Sequence, residues 1–124
     1  MEFFETANIK TDESTIHQRL TVGALADYCA SVEEVYETDG DNAGRGFMVW
    51  GDFRIERQLI KGGARFSLPE CPNMLAWTVT TGYPPAEDKV VIHCTIARKE
   101  QDPDFVESLE DFMADWKKGL EANW

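Results

Sequence analysis

Toward the carboxyl end of the chain, apolar residues recur at steps of three and four. Phe105, Leu109, Phe112, Trp116 and Leu120, with Val106 and Met113 beside them, fall on one stripe of a helix from Asp102 to about Leu120. Glu107, Glu110, Asp111, Asp115, Lys117, Lys118 and Glu121 occupy the other face. Asp102 suits the N-cap, Pro103 the first helical position, and Asp104 the positive end of the helix. Such a stripe needs a large apolar partner, and the middle of the chain offers one.

There the period changes to two. From Phe47 to Ile60, Phe47, Val49, Phe53, Ile55 and Leu59 share one parity, while Asp52, Arg54, Glu56 and Gln58 share the other. Gly51 inside this run predicts a bulge or bend. Lys61-Gly62-Gly63 is a hairpin turn, and Ala64, Phe66 and Leu68 form the apolar side of the returning strand. After a loop over Pro69–Asn73, Met74–Gly82 alternates again, with Leu75, Trp77, Val79 and Thr81 on one side. Tyr83-Pro84-Pro85 stiffens the next connection. Lys89–Arg98 then places Val90, Ile92, Cys94 and Ile96 against Val91, His93, Thr95 and Ala97.

The first third is more mixed. Phe3–Lys10 reads as a strand whose Phe3, Ala7 and Ile9 side faces the core. Thr11 or Asp12 caps a helix with Ile16 and Leu20 inward, and Gly23 separates it from a short helix, Ala24 to about Cys29, with Leu25, Tyr28 and Cys29 inward. Val32–Thr38 either prolongs that helix or starts a strand, and its β-branched Val32 and Val35 lean to strand. Asp39–Gly44 is a turn. Its acids do not make an EF-hand, because the twelfth position from Asp39 is Trp50 rather than a liganding Glu.

The pattern therefore predicts an α+β fold: a curved antiparallel sheet paired as a meander, packed against the long C-terminal helix, with one or two short helices after the first strand. A ferredoxin-like sandwich is the alternative. Phe53, Ile55, Leu59, Phe66, Leu75, Trp77, Val79, Val90, Ile92 and Ile96 form the covered face; Arg54, Glu56, Thr78, Thr80, His93 and Thr95 form the solvated one. The opening Ala7–Thr21 (ANIKTDESTIHQRLT) resembles the strand, acidic helix start and Leu-Thr helix end of the START-like, helix-grip superfamily. The closing Phe112–Leu120 (FMADWKKGL) resembles that family's Trp…Gly-Leu terminal helix. The resemblance implies a sheet and helix enclosing an apolar cavity, and makes cyclase or dehydratase chemistry conceivable. The chain is shorter than most members of that family.

Composition narrows the functional classes. The 124 residues are the size of one domain, and 43% are hydrophobic, which excludes a disordered chain. The net charge is −11, with 12 bases against 23 acids. That argues against nucleic acid, whose phosphates are met by Lys and Arg, and against anionic membranes. The start of the chain is unlike a secretory leader, no run reaches transmembrane length, and the three scattered cysteines fit free thiols; a cytoplasmic location is expected.

Candidate chemistry is sparse. His93 falls on the polar parity and His17 among polar helix neighbours, so both read as surface residues. No nucleophile carries a Gly-x-Ser-x-Gly or Cys-His signature. Cys71, His93 and Cys94 lack metal-ligand spacing, and His93 and Cys94 point to opposite sides of a strand, so neither metal nor cofactor is expected. Cys94 and Cys29 read as small buried apolar residues. Arg57 shares the apolar parity, so it reaches water at a bend or strand end, or meets an acid or an anionic ligand. Arg98 poses the same question at a strand end. Trp77 and Trp116 are expected to meet between sheet and helix, either filling the interior or lining a pocket.

These readings lead to a small protein that binds an apolar or aromatic molecule between sheet and C-terminal helix. Tyr28, Phe53, Phe66, Trp77 and Trp116 would supply area and Arg57 orientation. The alternative is an acidic interaction module with a solid core, meeting a basic protein through Glu107, Glu110, Asp111 and Asp115 or the turn at Asp39–Asp41. An enzyme ranks last, since no acid–base pair supports one.

Overall fold

A computed structural model describes residues 1–97 and 102–124 of the chain. In order, the elements are β1 (Glu2–Ala7), α1 (Glu13–Arg19), a 3₁₀ turn (Val22–Ala24), α2 (Leu25–Tyr28), β2 (Val32–Asp39), β3 (Ala43–Met48), β4 (Gly51–Ile60), β5 (Gly63–Ser67), β6 (Ala76–Thr81), β7 (Val90–Thr95) and α3 (Pro103–Asn123). The strands make one antiparallel sheet in the order β1-β7-β6-β5-β4-β3-β2. Strands β2 to β7 are thus the expected meander, and β1 closes on its far edge beside β7.

Local chemistry accounts for the element ends. The Asp12 carboxylate accepts from the Thr15 amide and caps α1, while Asp102 accepts from Asp104 at the head of α3. The β4–β5 turn needs Gly62 at φ +86°, a backbone state that side chains disfavour. Val32–Asp39 is a strand, and it forms one edge of the sheet.

Alternation holds over most of the sheet, and two departures have local causes. The run from Phe47 to Ile60 is not one strand. A turn at Val49 and Trp50 ends β3 before β4 begins at Gly51, and the inward positions of β3 are Gly44, Gly46 and Met48. Phe47 and Val49 are consequently 43% and 53% exposed, because an interruption of the pleat flips which parity faces the core. Phe47 stacks on Tyr36 instead, with ring centroids 5.2 Å apart. Leu59 keeps the inward parity but sits next to the last residue of β4, and stays 51% exposed.

Helix α3 lies over β1, β7 and α2. Leu109, Phe112, Met113, Trp116 and Leu120 are its buried stripe. Two polar clasps tie it to the first strand and the residue that follows it: the Lys117 ammonium donates to the Thr6 carbonyl at 2.7 Å, and Glu121 accepts from the Asn8 amide at 2.7 Å. Toward α2 the approach is closer still, since a Cβ on Gly119 would stand 1.9 Å from the Tyr28 carbonyl oxygen. Helix propensity alone makes Gly119→Ala stabilising by about 1 kcal/mol. The clash with fixed backbone is the larger effect, and a net loss of roughly 1–3 kcal/mol is expected from urea unfolding. An Ala variant as stable as the parent would show that α2 and α3 are not in contact at this point.

Candidate functional site

The sheet register builds the site. Arg57 on β4 stands opposite Phe66 on β5, Phe66 opposite Trp77 on β6, Trp77 opposite Cys94 on β7, and Cys94 opposite Phe3 on β1. One cross-strand line thus runs beneath α3, and residues in such a line share a face. Phe66 and Trp77 stack at 5.4 Å between centroids. From α3, Phe112 meets Trp77 edge-on at 5.1 Å, and Trp116 lies 6.4 Å from Trp77 and 6.5 Å from Phe66. All four rings are buried. They span the gap between the middle strands and a helix whose backbone rests on the sheet's β1–β7 side.

Among the described residues, the buried indole nitrogens of Trp77 and Trp116 find no acceptor. A buried donor without a partner costs about 1–3 kcal/mol. The contrast with Trp50 is direct, since its indole donates to the Ser108 hydroxyl at 2.8 Å.

Of the six residues singled out from sequence, the structure brings Phe66, Trp77 and Trp116 together. Tyr28 packs instead on Trp124 at 5.2 Å, and Phe53 is half-buried at the margin of the core. Arg57 is only 6% exposed. Its guanidinium donates to the Asn42 side chain at 2.9 Å and to the carbonyls of His17 and Leu20 at 2.8 and 2.9 Å. A cation at the carbonyl end of α1 satisfies groups the helix leaves open. Burial pushes the Arg57 pKa down from its ordinary value, and Asp41 acts the other way. Arg98 lies outside the described residues, as does the connection over 99–101.

Phe112 joins the cluster without having been singled out, although it lies four residues before Trp116 on the same stripe. That spacing was the available signal. His17 is a second correction: it is half-buried, not a surface residue, and its Nε2 lies 2.8 Å from the Gly63 carbonyl and 3.2 Å from that of Ile60. Only tertiary packing sets that hairpin beside α1. His93 lies on the polar face, stacked on Phe4 at 4.2 Å with Glu2 at 2.9 Å from its Nε2.

Burial holds Cys29 and Cys94 neutral, with pKa values pushed up to about 12 from an ordinary 9.0. The sign of the linkage follows. Unfolded thiols ionise first as pH rises past 9.0, so the unfolded state loses protons that the folded state keeps, and stability falls from there toward about 12. Urea midpoints should drop between pH 8 and pH 10, and drop less in the Cys29→Ala/Cys94→Ala double variant. Equal drops in the two proteins would refute this assignment.

Surface clefts include one of about 250 Å³ between α2 and α3, one of about 390 Å³ where Thr11–Glu13 meets Gly62 and Tyr83, and one of about 180 Å³ on the sheet's other face, lined by Arg65, Trp77 and His93. Among the described residues no group of three or more His, Cys, Asp or Glu side chains gathers as a metal site, and no helix is long and apolar enough to cross a membrane.

No protein-family model matches the sequence, and no curated protein matches it. Solved structures do match in shape. The protein XoxI from Bacillus cereus superposes with a TM-score of 0.68 at 11% identity, over 98% of this chain and 93% of that one. An uncharacterised protein from Bacillus thuringiensis gives 0.67 at 11% identity, over 98% and 97%. A START superfamily protein from Mycobacterium smegmatis gives 0.63 at 11% identity, over 98% and 94%. At such identities the likeness is one of fold, and that fold is the START-like, helix-grip one.

Proposed function

From this helix-grip fold, we propose that the protein binds an apolar or aromatic small molecule between the sheet and α3. The observation that carries the reading is the ring cluster of Phe66, Trp77, Phe112 and Trp116 under a helix whose own backbone rests to one side. Side chains, not main chain, close the middle of the interior. Rings can change rotamer around a guest where backbone cannot, and flat apolar surfaces are what such a guest contacts best. Phe66, Trp77, Phe112 and Trp116 are the contact residues; the guanidinium of Arg57, engaged by α1, holds the wall rather than the ligand.

Titration with 2-ethylnaphthalene, followed by nitrogen-15 and methyl NMR, tests this. Saturable shifts concentrated at Phe66, Trp77, Phe112 and Trp116 are the expected result. Spectra unchanged up to the solubility of the probe would defeat it.

A second reading is a basic protein partner. Such a partner would meet the exposed Glu107, Glu110 and Asp111 along α3. Binding of a Lys/Arg-rich peptide that weakens steeply from low to high salt would support it, because exposed charges are screened over about 10 Å at 0.1 M salt.

A further inference from the structure

Among the described residues, the buried polar or charged side chains are Ser31, Arg57 and Thr81, and each is already engaged. Ser31 donates to Asp115, Thr81 to the Lys89 carbonyl, and Arg57 to Asn42 and the end of α1. The two thiols are held neutral by burial. What the core offers a guest is therefore donors without charge: the indole N–H groups of Trp77 and Trp116, whose ring centroids are 6.4 Å apart.

Resting on the binding mode above, we infer that the ligand is an uncharged, ring-bearing hydrogen-bond acceptor, such as an aromatic ketone, ether or quinone, held by one or both of these indoles. Three physical points lead there. An orphan donor is stabilised by any acceptor that reaches it, and the stabilisation is larger in a low-dielectric interior than in water. Among the described buried side chains an anion would meet no free cation on leaving water, which is far costlier than burying a carbonyl. An alcohol or amine would bring a donor of its own into a site that already has donors in excess. The Trp77 and Trp116 side chains therefore select for acceptor chemistry, while the surrounding rings select for shape.

Three probes of nearly the same outline separate the possibilities: 2-ethylnaphthalene, 2-acetylnaphthalene and 2-naphthoate at pH 7. The readout is the pair of indole N–H signals in nitrogen-15 spectra, assigned with Trp77→Phe and Trp116→Phe. The ketone is expected to move at least one of the two signals downfield, as a new hydrogen bond does, and the hydrocarbon to bind without that shift. Removing the responding indole by its Phe variant should weaken the ketone roughly 3- to 10-fold more than the hydrocarbon, the worth of one net hydrogen bond. The naphthoate should bind far more weakly than the ketone. Binding of ketone and hydrocarbon with identical effects on both indoles, or naphthoate binding as tightly as the ketone, would overturn the acceptor inference while leaving small-molecule binding intact. If neither neutral probe binds, both fall together.

Discussion

Trp116→Ala is expected to lower the free energy of unfolding by about 3–5 kcal/mol, in line with truncation of a large buried aromatic. The side chain is fully buried and touches rings from both layers: Phe66 at 6.5 Å and Trp77 at 6.4 Å across the interior, and Phe112 at 6.4 Å on its own helix. Removing it leaves a void that α3 cannot collapse into, because Gly119 already lies against the Tyr28 carbonyl and Lys117 is tied to Thr6. Part of the loss should be recoverable from solution. Free indole that fills the void would raise the stability of the variant by about 1.4 kcal/mol at ten times its dissociation constant. Urea unfolding with and without indole checks both halves. A loss below about 1 kcal/mol would mean that the helix slides to fill the gap, and that the Gly119 and Lys117 contacts do not hold it in place.

Arg57→Met should cost about 2–4 kcal/mol, through lost hydrogen bonds rather than packing. Met keeps much of the length and apolar body of the side chain, so the cavity contribution is small. What disappears are three charge-assisted hydrogen bonds, to Asn42, His17 and Leu20, and the two carbonyls lose their donor in a partly or wholly buried place. Arg57→Lys should recover only part of the loss, since one ammonium lacks the planar fork that reaches the Asn42 side chain and two carbonyls together. Hydrogen exchange in α1 should quicken in both variants, more in Met than in Lys. If Met were as stable as Arg, the guanidinium would be free, and its assignment as an anchor for α1 would be wrong.

Arg57 also shows where reading a chain residue by residue stops. Its parity correctly put a cation on the apolar face. Its partner could not be read, because backbone carbonyls of a helix some forty positions earlier carry no signature in the side-chain pattern. His17 has the same history: its acceptors are the carbonyls of Ile60 and Gly63. The stripe of α3 was legible almost to the residue, including Asp102 as its cap, since periodicity and capping depend on neighbours within one turn. Phe47 and Val49 were misplaced because a two-residue turn between β3 and β4 looks, in an apolar run, like continued alternation.

What the amino-acid order determined alone was most of the elements and the faces they bury, along with the meander that short connections enforce. Those follow from local sterics and from the period at which apolar groups return. Tertiary structure decided that β1 joins β7, that Arg57 spends its donors on α1, and that Phe66, Trp77, Phe112 and Trp116 meet while Tyr28 and Phe53 stand apart. Each of these depends on the register and spacing between segments distant in the chain, set by how whole layers pack rather than by any one segment's preference.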